Sequence, residues 1–185
     1  MDLKDRKDIE KLIKGCINKQ SKYQEILHRA FYSKMLVVCM RYAKNRAEAE
    51  DLLHDGFIKL YKKLPKYNYQ GSFEGWVRRI ITNNAIDFIR KRKEFTIDFN
   101  DTHLNLVDET EQEKNNEDKE LIKAQAEKII AAIQQLSPAY KAVFNMYILE
   151  NMSHKEIAQK LNISVGSSKS NLFKAKKKIK DLLGL

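Results

Sequence analysis

The chain has 185 residues, of which 43% are hydrophobic and 32% charged, and its formal net charge is +10 at pH 7. Six Gly and two Pro are too few for a collagen-like, linker-dominated or turn-rich all-β protein. No apolar run is long enough to span a bilayer, and the N-terminus lacks the apolar stretch of a signal peptide. The composition predicts a mostly helical, cytoplasmic protein without membrane insertion, whose partners are polyanions such as nucleic acids.

Charge is distributed unevenly along the chain. Residues 1–93 carry a net charge of +11, residues 94–118 carry −8 and residues 119–185 carry +7. The apolar residues of the acidic segment are few and follow no helical period, so their burial cannot offset the entropy of ordering the chain. We interpret this segment as a solvated spacer between two basic domains. The alternative is a segment that competes with nucleic acid for the basic faces.

The predicted fold is all-α, with two small helical domains joined by an acidic flexible linker. The first domain covers residues 24–93, the linker residues 94–119 and the second domain residues 120–185. Residues 1–23 are an amphipathic N-terminal extension, in which we expect a short helix. Its apolar side is formed by Ile9, Leu12 and Ile13.

The first domain begins with two helical patterns. Apolar residues recur at helical spacing from Gln24 to Tyr42, and a second helix is predicted from Ala47 to Leu64. That second helix has residues three and four positions apart on a single apolar stripe, which a helix buries against a neighbour. The stripe consists of Leu53, Phe57, Leu60 and Leu64.

Two acidic residues lie one turn apart on another face of this second helix. They are Asp51 and Asp55, beside His54 and Ile58. Most exposed acids are ordinary solvated carboxylates, and a paired-carboxylate enzyme would need a pocket and convergent partners, which this stretch does not offer. A docking surface for a basic or polar partner is the better functional interpretation.

An aromatic and basic stretch follows Pro65, which ends the helix. Aromatic faces stack on unpaired bases for about 1–3 kcal/mol each, while flanking cations hold the phosphate backbone. The spacing of Trp76 in the next helix favours a core position for this residue. Tyr67 and Tyr69 instead precede that helix in a polar loop, where stacking on an unpaired base is the better interpretation. This candidate single-strand surface consists of Lys66, Tyr67, Asn68, Tyr69, Phe73, Arg79, Asn83 and Arg90.

The next helix is predicted over residues 73–94, with Ser72 as its cap. Asn83 and Asn84 are moderate helix formers in its interior. Either amide could face water or present its hydrogen-bonding groups to a base edge. Free Cys16 and Cys39 lie in helical patterns, where single cysteines are more often buried packing residues than redox-sensitive sites.

The second domain contains a helix that begins with two well-placed residues. Ser137 is a predicted N-cap, and Pro138 occupies the first helical position. The apolar side of this helix is predicted to be Val143, Phe144, Tyr147 and Ile148.

A helix-turn-helix pattern follows. Ser153 and Glu156 predict a capping box at the start of a short helix. Asn162 suits a left-handed turn residue, and Ser164 can cap a second helix that begins at Val165. The second helix of this motif enters the major groove of DNA. Its exposed N-terminal side is predicted to present Ser167, Ser168, Lys169, Ser170 and Asn171, with Lys174 and Lys177 further along.

Three stretches in this order resemble a bacterial sigma factor of the sigma-70 family, in the short form of the extracytoplasmic-function group. They are AEAEDLLHDGFIKLYKKL, FEGWVRRIITNNAIDFIRKRKE and LSPAYKAVF with NMSHKEIAQKLNISVGSSKSNLFKAKKKI. The resemblance implies a non-enzymatic initiation factor without cofactor or metal. Its partners would be promoter DNA and core RNA polymerase, at the β′ clamp helices and the β flap. An anti-sigma factor is compatible with the same resemblance.

The resemblance also implies roles for particular residues. Residues 24–93 would be region 2, which melts the −10 element, and residues 120–185 would be region 4, which reads the −35 element. The loop from Lys66 to Phe73 would capture a flipped base of the non-template strand, and Asn83 would contact the same DNA. The surface for the β′ clamp helices would be Asp51, His54, Asp55 and Ile58. The −35 duplex would be contacted by Ser167, Lys169, Ser170, Asn171, Lys174 and Lys177.

The sequence departs from the family pattern at several positions. His54 and Asp55 stand where Gln and Glu are usual, and Ser168 stands where an aliphatic residue usually packs. Asn171 replaces a usual arginine, which removes a guanine reader, so the −35 sequence cannot be carried over from relatives. Two other functions stay open on the sequence alone: a stand-alone helix-turn-helix regulator, and a recombinase or nuclease with converging carboxylates.

Overall fold

The computed structural model describes residues 3, 5–91 and 117–184, and it gives no side-chain positions for residues 117–123. Throughout the described residues the regular elements are helices, so the all-α prediction is confirmed. The greater part of the predicted linker lies outside the described residues. Both interpretations of it, a spacer and a segment that competes with nucleic acid for the basic faces, therefore stay predictions.

The chain divides into two compact units, Met1–Phe88 and Ile89–Leu185. The first unit is built from helices that begin with α1 in the predicted N-terminal extension. The predicted 47–64 helix is found to within one residue at each end. The bounds are α1 Arg6–Ile17, α2 Ser21–Met40, α3 Arg46–Lys63, a short 3₁₀ helix Leu64–Lys66, and α4 Phe73–Lys91, whose last residues fall beyond the unit boundary.

Local capping explains where two of these helices start. The Asn45 side chain accepts a hydrogen bond of 2.9 Å from the backbone N–H of Glu48, at the start of α3. The Ser72 hydroxyl accepts one of 3.3 Å from the N–H of Gly75, as predicted for the start of α4. Each bond satisfies a donor that the first helical turn leaves unpaired.

The predicted apolar faces form the core of the first unit. The whole α3 stripe is buried, and so are the three apolar residues of α1, which confirms both predictions. At Gly56 the helices α3 and α4 approach closely, because a Cβ there would lie 2.6 Å from the Ile81 Cδ1 atom. The largest fully buried side chains of this unit include Leu12, Leu27, Phe31, Met35, Leu53, Leu60, Leu64 and Ile81.

Both cysteines are buried in this core with free thiols. Burial raises the pKa of Cys16 to about 11 and the pKa of Cys39 to about 12. The thiolate is the reactive form of cysteine, so both side chains are inert packing residues at neutral pH.

The second unit contains the predicted helix-turn-helix. Ser137 occupies the N-cap of α6 with Pro138 after it, but the serine hydroxyl makes no capping hydrogen bond. The core includes Ile133, Leu136, Ala175 and Ile179, which join α5 to the last helix. The bounds are α5 Glu117–Gln134, α6 Pro138–Phe144, a π-helical turn Asn145–Leu149, α7 His154–Leu161 and α8 Val165–Leu183.

The predicted apolar side of the helix after Ser137 was wrong at two positions. Tyr147 and Ile148 are 36% and 39% exposed, whereas Met146 is fully buried. Both exposed residues lie within the π-helical turn, which the N–H of Glu150 closes with a 3.1 Å bond to the carbonyl of Asn145, five residues earlier. Met146 continues the buried face of Ala142 and Val143, because it lies four and three residues after them.

Candidate nucleic-acid and docking surfaces

The structure brings the predicted docking residues together on the outer side of α3. Asp51, His54 and Asp55 are exposed, and Ile58 is 41% exposed beside them. Two carboxylates next to an exposed aliphatic side chain can bind a basic partner through charge and add an apolar contact. We name these four residues the α3 surface, and its contact with a partner stays a prediction.

Nothing in the described part of the chain groups three or more His, Cys, Asp or Glu side chains closely enough to hold a metal ion. Within the same residues, no helix has the length and apolar character needed to cross a membrane.

Four aromatic rings pack together where α4 begins. The Tyr67 ring centroid lies 5.0 Å from that of Tyr69, 5.1 Å from that of Phe73 and 4.9 Å from that of Trp76. Tyr67 is only 7% exposed, and burial raises the pKa of its phenol. Its hydroxyl donates a 3.3 Å bond to the carbonyl of Gly71. Tyr67 therefore holds the loop in place, and little of its ring is accessible for the predicted contact with DNA.

Tyr69 and Trp76 are the partly exposed rings of this cluster, so Trp76 is not fully in the core as its spacing predicts, and Tyr69 is the one that lies in the loop. Its φ of +58° and that of Gly71, +73°, lie in the left-handed region, so the loop turns sharply between the two helices. The Asn68 side chain fixes this turn by accepting a 3.3 Å bond from the N–H of Gln70. The loop thus presents Tyr69 with exposed Lys66 and Asn68 beside it, which suits stacking on a base while a cation neutralises phosphate.

The two adjacent asparagines of α4 have different environments. Asn84 is 6% exposed, and its side chain donates a 2.9 Å bond to the carbonyl of Leu52 on α3. Asn84 is therefore a structural residue, which decides between the alternatives that the sequence left open for it. Asn83 is half-buried, while Arg79 and Arg90 are exposed. Phe73 is 2% exposed, so any role for it in DNA binding would act through the loop.

The helix-turn-helix forms through the predicted local contacts. Ser153 and Glu156 make both bonds of a capping box at the start of α7. The backbone N–H and the hydroxyl of Ser153 both donate to the Glu156 carboxylate, which lowers the pKa of that carboxyl. Asn162 is in the left-handed conformation at φ 55°, and the Ser164 hydroxyl accepts a 2.9 Å bond from the N–H of Ser167. These three predictions are confirmed.

Ser168 is not on the exposed side of α8, contrary to the prediction. It is fully buried, at the inward position that the resemblance assigns to an aliphatic residue. Its hydroxyl is 2.9 Å from the Nδ1 atom of His154, whose ring stacks on Tyr147 with centroids 4.6 Å apart. A hydroxyl at this position is stabilised because α7 supplies a hydrogen-bonding partner for it.

The outer side of α8 carries the predicted DNA-contacting residues. Ser167, Lys169, Ser170, Lys174 and Lys177 are exposed, and Asn171 is half-buried. The sequence argument missed Phe173, which is 72% exposed and lies one turn from both Lys169 and Lys177. Because Ser168, Leu172 and Ala175 point inward, Phe173 lies on the outward side of the helix. We name this exposed side of Ser167, Lys169, Ser170, Phe173, Lys174 and Lys177 the α8 face.

Comparison with known protein families gives two matches in the same order. The family model described as Sigma-70 region 2 matches residues 27–95. The model described as Sigma-70, region 4 matches residues 126–179. The first match contains the α3 surface and the aromatic loop, and the second contains the helix-turn-helix.

Similar proteins have sigma-factor names. The ECF RNA polymerase sigma factor SigE of Mycolicibacterium smegmatis is 26% identical over 85% of this chain, which spans 60% of that protein's length. In Bacillus subtilis, SigZ is 26% identical over 86% of both chains, and SigW is 25% identical over 99% of this chain and 98% of its own. The solved sigma factor RpoE of Bartonella quintana, in complex with the anti-sigma factor NepR, shares the fold, with a TM-score of 0.51, 16% identity and coverage of 87% and 96%.

Two helical units, one with a helix-turn-helix and one with an exposed acidic surface and an aromatic loop, define the class of helix-turn-helix DNA-binding proteins. The two family matches together cover more than half of the chain. The chain belongs to the sigma-70 family of RNA polymerase sigma factors, in its extracytoplasmic-function group.

Proposed function

We propose that this chain binds core RNA polymerase, delivers it to promoters, melts the −10 element and reads the −35 element, without catalysing a reaction itself. The observation that supports this most directly is that both sigma-70 regions match in order, each containing a surface suited to its task. The predicted cytoplasmic localisation follows from this function. An anti-sigma partner, such as the one bound to the Bartonella relative, is compatible with it.

The α3 surface is the proposed site for the β′ clamp helices. Two exposed carboxylates favour a basic partner, and Ile58 adds apolar area at the same place. We expect Asp51→Lys with Asp55→Lys to abolish capture of core polymerase, because like charges then face the partner.

The matched control for this variant is Glu25→Lys with Asp181→Lys, which makes the same change in net charge on exposed residues of α2 and α8. The control should retain core polymerase at the wild-type level in a pull-down. Both variants must keep the wild-type helical circular-dichroism spectrum. Equal retention by the α3 variant and its control would remove the α3 surface from the proposal.

The aromatic loop is the proposed site for the unstacked −10 base. Unstacking a base costs a few kcal/mol, which an aromatic face and phosphate neutralisation can offset. We expect Tyr69→Ala to reduce permanganate reactivity of −10 thymines in the open complex, while Tyr67→Phe, which keeps the buried ring, should change it little. Unchanged thymine reactivity in Tyr69→Ala would refute the stacking role.

The α8 face is the proposed reader of the −35 duplex. Its lysines neutralise phosphates, so Lys169→Ala with Lys177→Ala should weaken binding across promoter sequences and reduce the salt slope by about one for each lost contact. The control is Lys128→Ala, at an exposed position of α5 outside the α8 face. Tight duplex binding by the chain with no polymerase present would instead favour the stand-alone regulator.

A further inference from the structure

A buried polar contact connects the two helices of the helix-turn-helix. The Ser168 hydroxyl of α8 is 2.9 Å from the Nδ1 atom of His154, the first residue of α7, and Ser168 is fully buried. Either the hydroxyl donates to Nδ1 or an Nδ1–H donates to the hydroxyl oxygen, so the bond persists in both tautomers. A buried hydroxyl that loses its partner is destabilising, so this contact holds Ser168 close to His154.

This contact connects α7 and α8 at a second point. The turn at Asn162 already joins the end of α7 to the start of α8. The bond from His154 adds a connection between the start of α7 and the first turn of α8. Two helices joined at one point can pivot about it, whereas a second connection fixes the angle at which they cross.

Tyr147 extends the contact back to α8 at a third point. The His154 ring stacks on it at an interplanar angle of 26°. The Nζ atom of Lys176 lies 5.9 Å from the centroid of the same tyrosine ring, within reach of a cation–π interaction. Ser168 and Lys176 lie about 12 Å apart along the axis of α8, so contacts at both positions restrict its rotation and its tilt.

The rotation of α8 decides which of its side chains can reach a base edge. Ser168 lies between Ser167 and Lys169, two residues of the α8 face. A side-chain atom about 5 Å from the helix axis moves by about 2 Å when the helix rotates by about 20°. Such a displacement breaks a hydrogen bond from a short side chain such as Ser167 or Ser170, whereas a long, flexible lysine can still reach a phosphate.

We infer that His154 is a positioning residue for recognition of the −35 element. Through its contacts with Ser168 and Tyr147 it holds α8 at one rotation, and this rotation brings the short side chains of the α8 face to the base edges. His154 therefore determines sequence preference, while the lysines of the α8 face supply affinity for any duplex. This inference rests on the proposed function of the α8 face and adds to it a residue of α7.

The test measures sequence preference separately from affinity. Holoenzyme made from the complete chain and core RNA polymerase selects among promoter duplexes with randomised −35 positions, and the bound fraction is sequenced. His154→Phe keeps an aromatic ring against Tyr147 but removes the bond to Ser168, so it should lower enrichment of the wild-type −35 sequence about tenfold. Retention of duplex without a promoter, and its salt dependence, should stay at wild-type values because the lysines remain.

Conservative variants distinguish positioning from a general loss of stability. His154→Asn places an amide where the Nδ1 atom lies but lacks the stacked ring, so it should restore enrichment to within about threefold of wild type. Ser168→Ala should match His154→Phe, and combining the two should lower enrichment no further, because both remove the same interaction. Gln159→Phe is the matched control, since it introduces phenylalanine for another uncharged residue at an exposed position of α7.

The possible results separate this inference from the proposed function. Wild-type enrichment in His154→Phe, or an equal loss in His154→Asn, would overturn the inference. Circular dichroism checks helicity, and Ser168→Ala decides the question should His154→Phe fail to fold. A wild-type holoenzyme that enriches no −35 sequence would overturn the proposed function of the α8 face as well.

Discussion

The hydrogen bond between Asn84 and Leu52 connects the helix behind the aromatic loop to the helix that carries the α3 surface. The donor and acceptor are 2.9 Å apart, and Asn84 is 6% exposed. Removing the amide in Asn84→Ala costs about 1–3 kcal/mol, because a buried hydrogen bond is lost. Asn84→Asp keeps the size but places a carboxylate oxygen where the donor was, and an unpaired buried charge costs about 3–5 kcal/mol.

These free energies correspond to measurable shifts in unfolding temperature. The first unit has 88 residues, and the midpoint of thermal unfolding of a unit of this size falls by about 4–8 °C for each kcal/mol of lost stability. Asn84→Ala should therefore lower this midpoint by roughly 10 °C, and Asn84→Asp should lower it by more. Burial raises the pKa of an introduced aspartate, and its protonated form can donate to the Leu52 carbonyl. The stability of Asn84→Asp should therefore be greatest at acidic pH and fall as pH rises through that raised pKa.

Trp76 is the single tryptophan of the chain and lies in the first unit, so its fluorescence reports the unfolding of that unit. Asn68→Asp is the matched control, since it makes the same change on an exposed side chain and should stay within about 0.5 kcal/mol of wild type. Wild-type midpoints for both Asn84 variants would refute the structural role. Wild-type stability combined with defective promoter opening would instead assign Asn84 to DNA contact.

Three further predictions concern buried thiols, the turn and the capping box. Because burial raises their pKa to about 11 and 12, Cys16 and Cys39 should react with iodoacetamide at pH 8 far more slowly in the native chain than in urea, and equal rates would contradict this. Asn162→Ala should cost about 1 kcal/mol in urea unfolding, because its φ is +55°, while Asn162→Gly should cost nothing; equal losses would exclude backbone strain as the cause. The lowered pKa of Glu156 means that its stabilisation is present above pH 4.5 and is lost as pH falls through the lowered value. The destabilisation of Glu156→Gln should therefore shrink on acidification, and a difference that grows would contradict the capping role.

The helix-turn-helix could be predicted from sequence because its determinants are local. The capping box, the turn at Asn162 and the cap at Ser164 each depend on residues within a few positions of one another. Their hydrogen bonds form with little help from distant packing, so residue type and spacing were sufficient. The α3 stripe was predictable for a similar reason, since a regular helix repeats its buried face every three or four residues.

The failures all involve non-local contacts or a changed helical period. Tyr147 and Ile148, which were predicted to be buried, lie in a π-helical turn, and no residue pattern marks such a turn in advance. Ser168 was predicted to face DNA because serine is polar, and only the position of His154 on the neighbouring helix shows why it is buried. Asn84 was ambiguous for the same reason, because its acceptor lies 32 residues away in the chain.

The contacts of the first unit link its proposed docking and base-binding sites mechanically. Asn84 joins α4 to α3, and the aromatic cluster joins the loop to α4. Closely packed helices move as a body, so a partner bound at the proposed α3 docking surface would also fix the position of the aromatic loop. Capture of a base at the proposed site would then need only the base to move, because contact with Tyr67 already holds the Tyr69 ring in place.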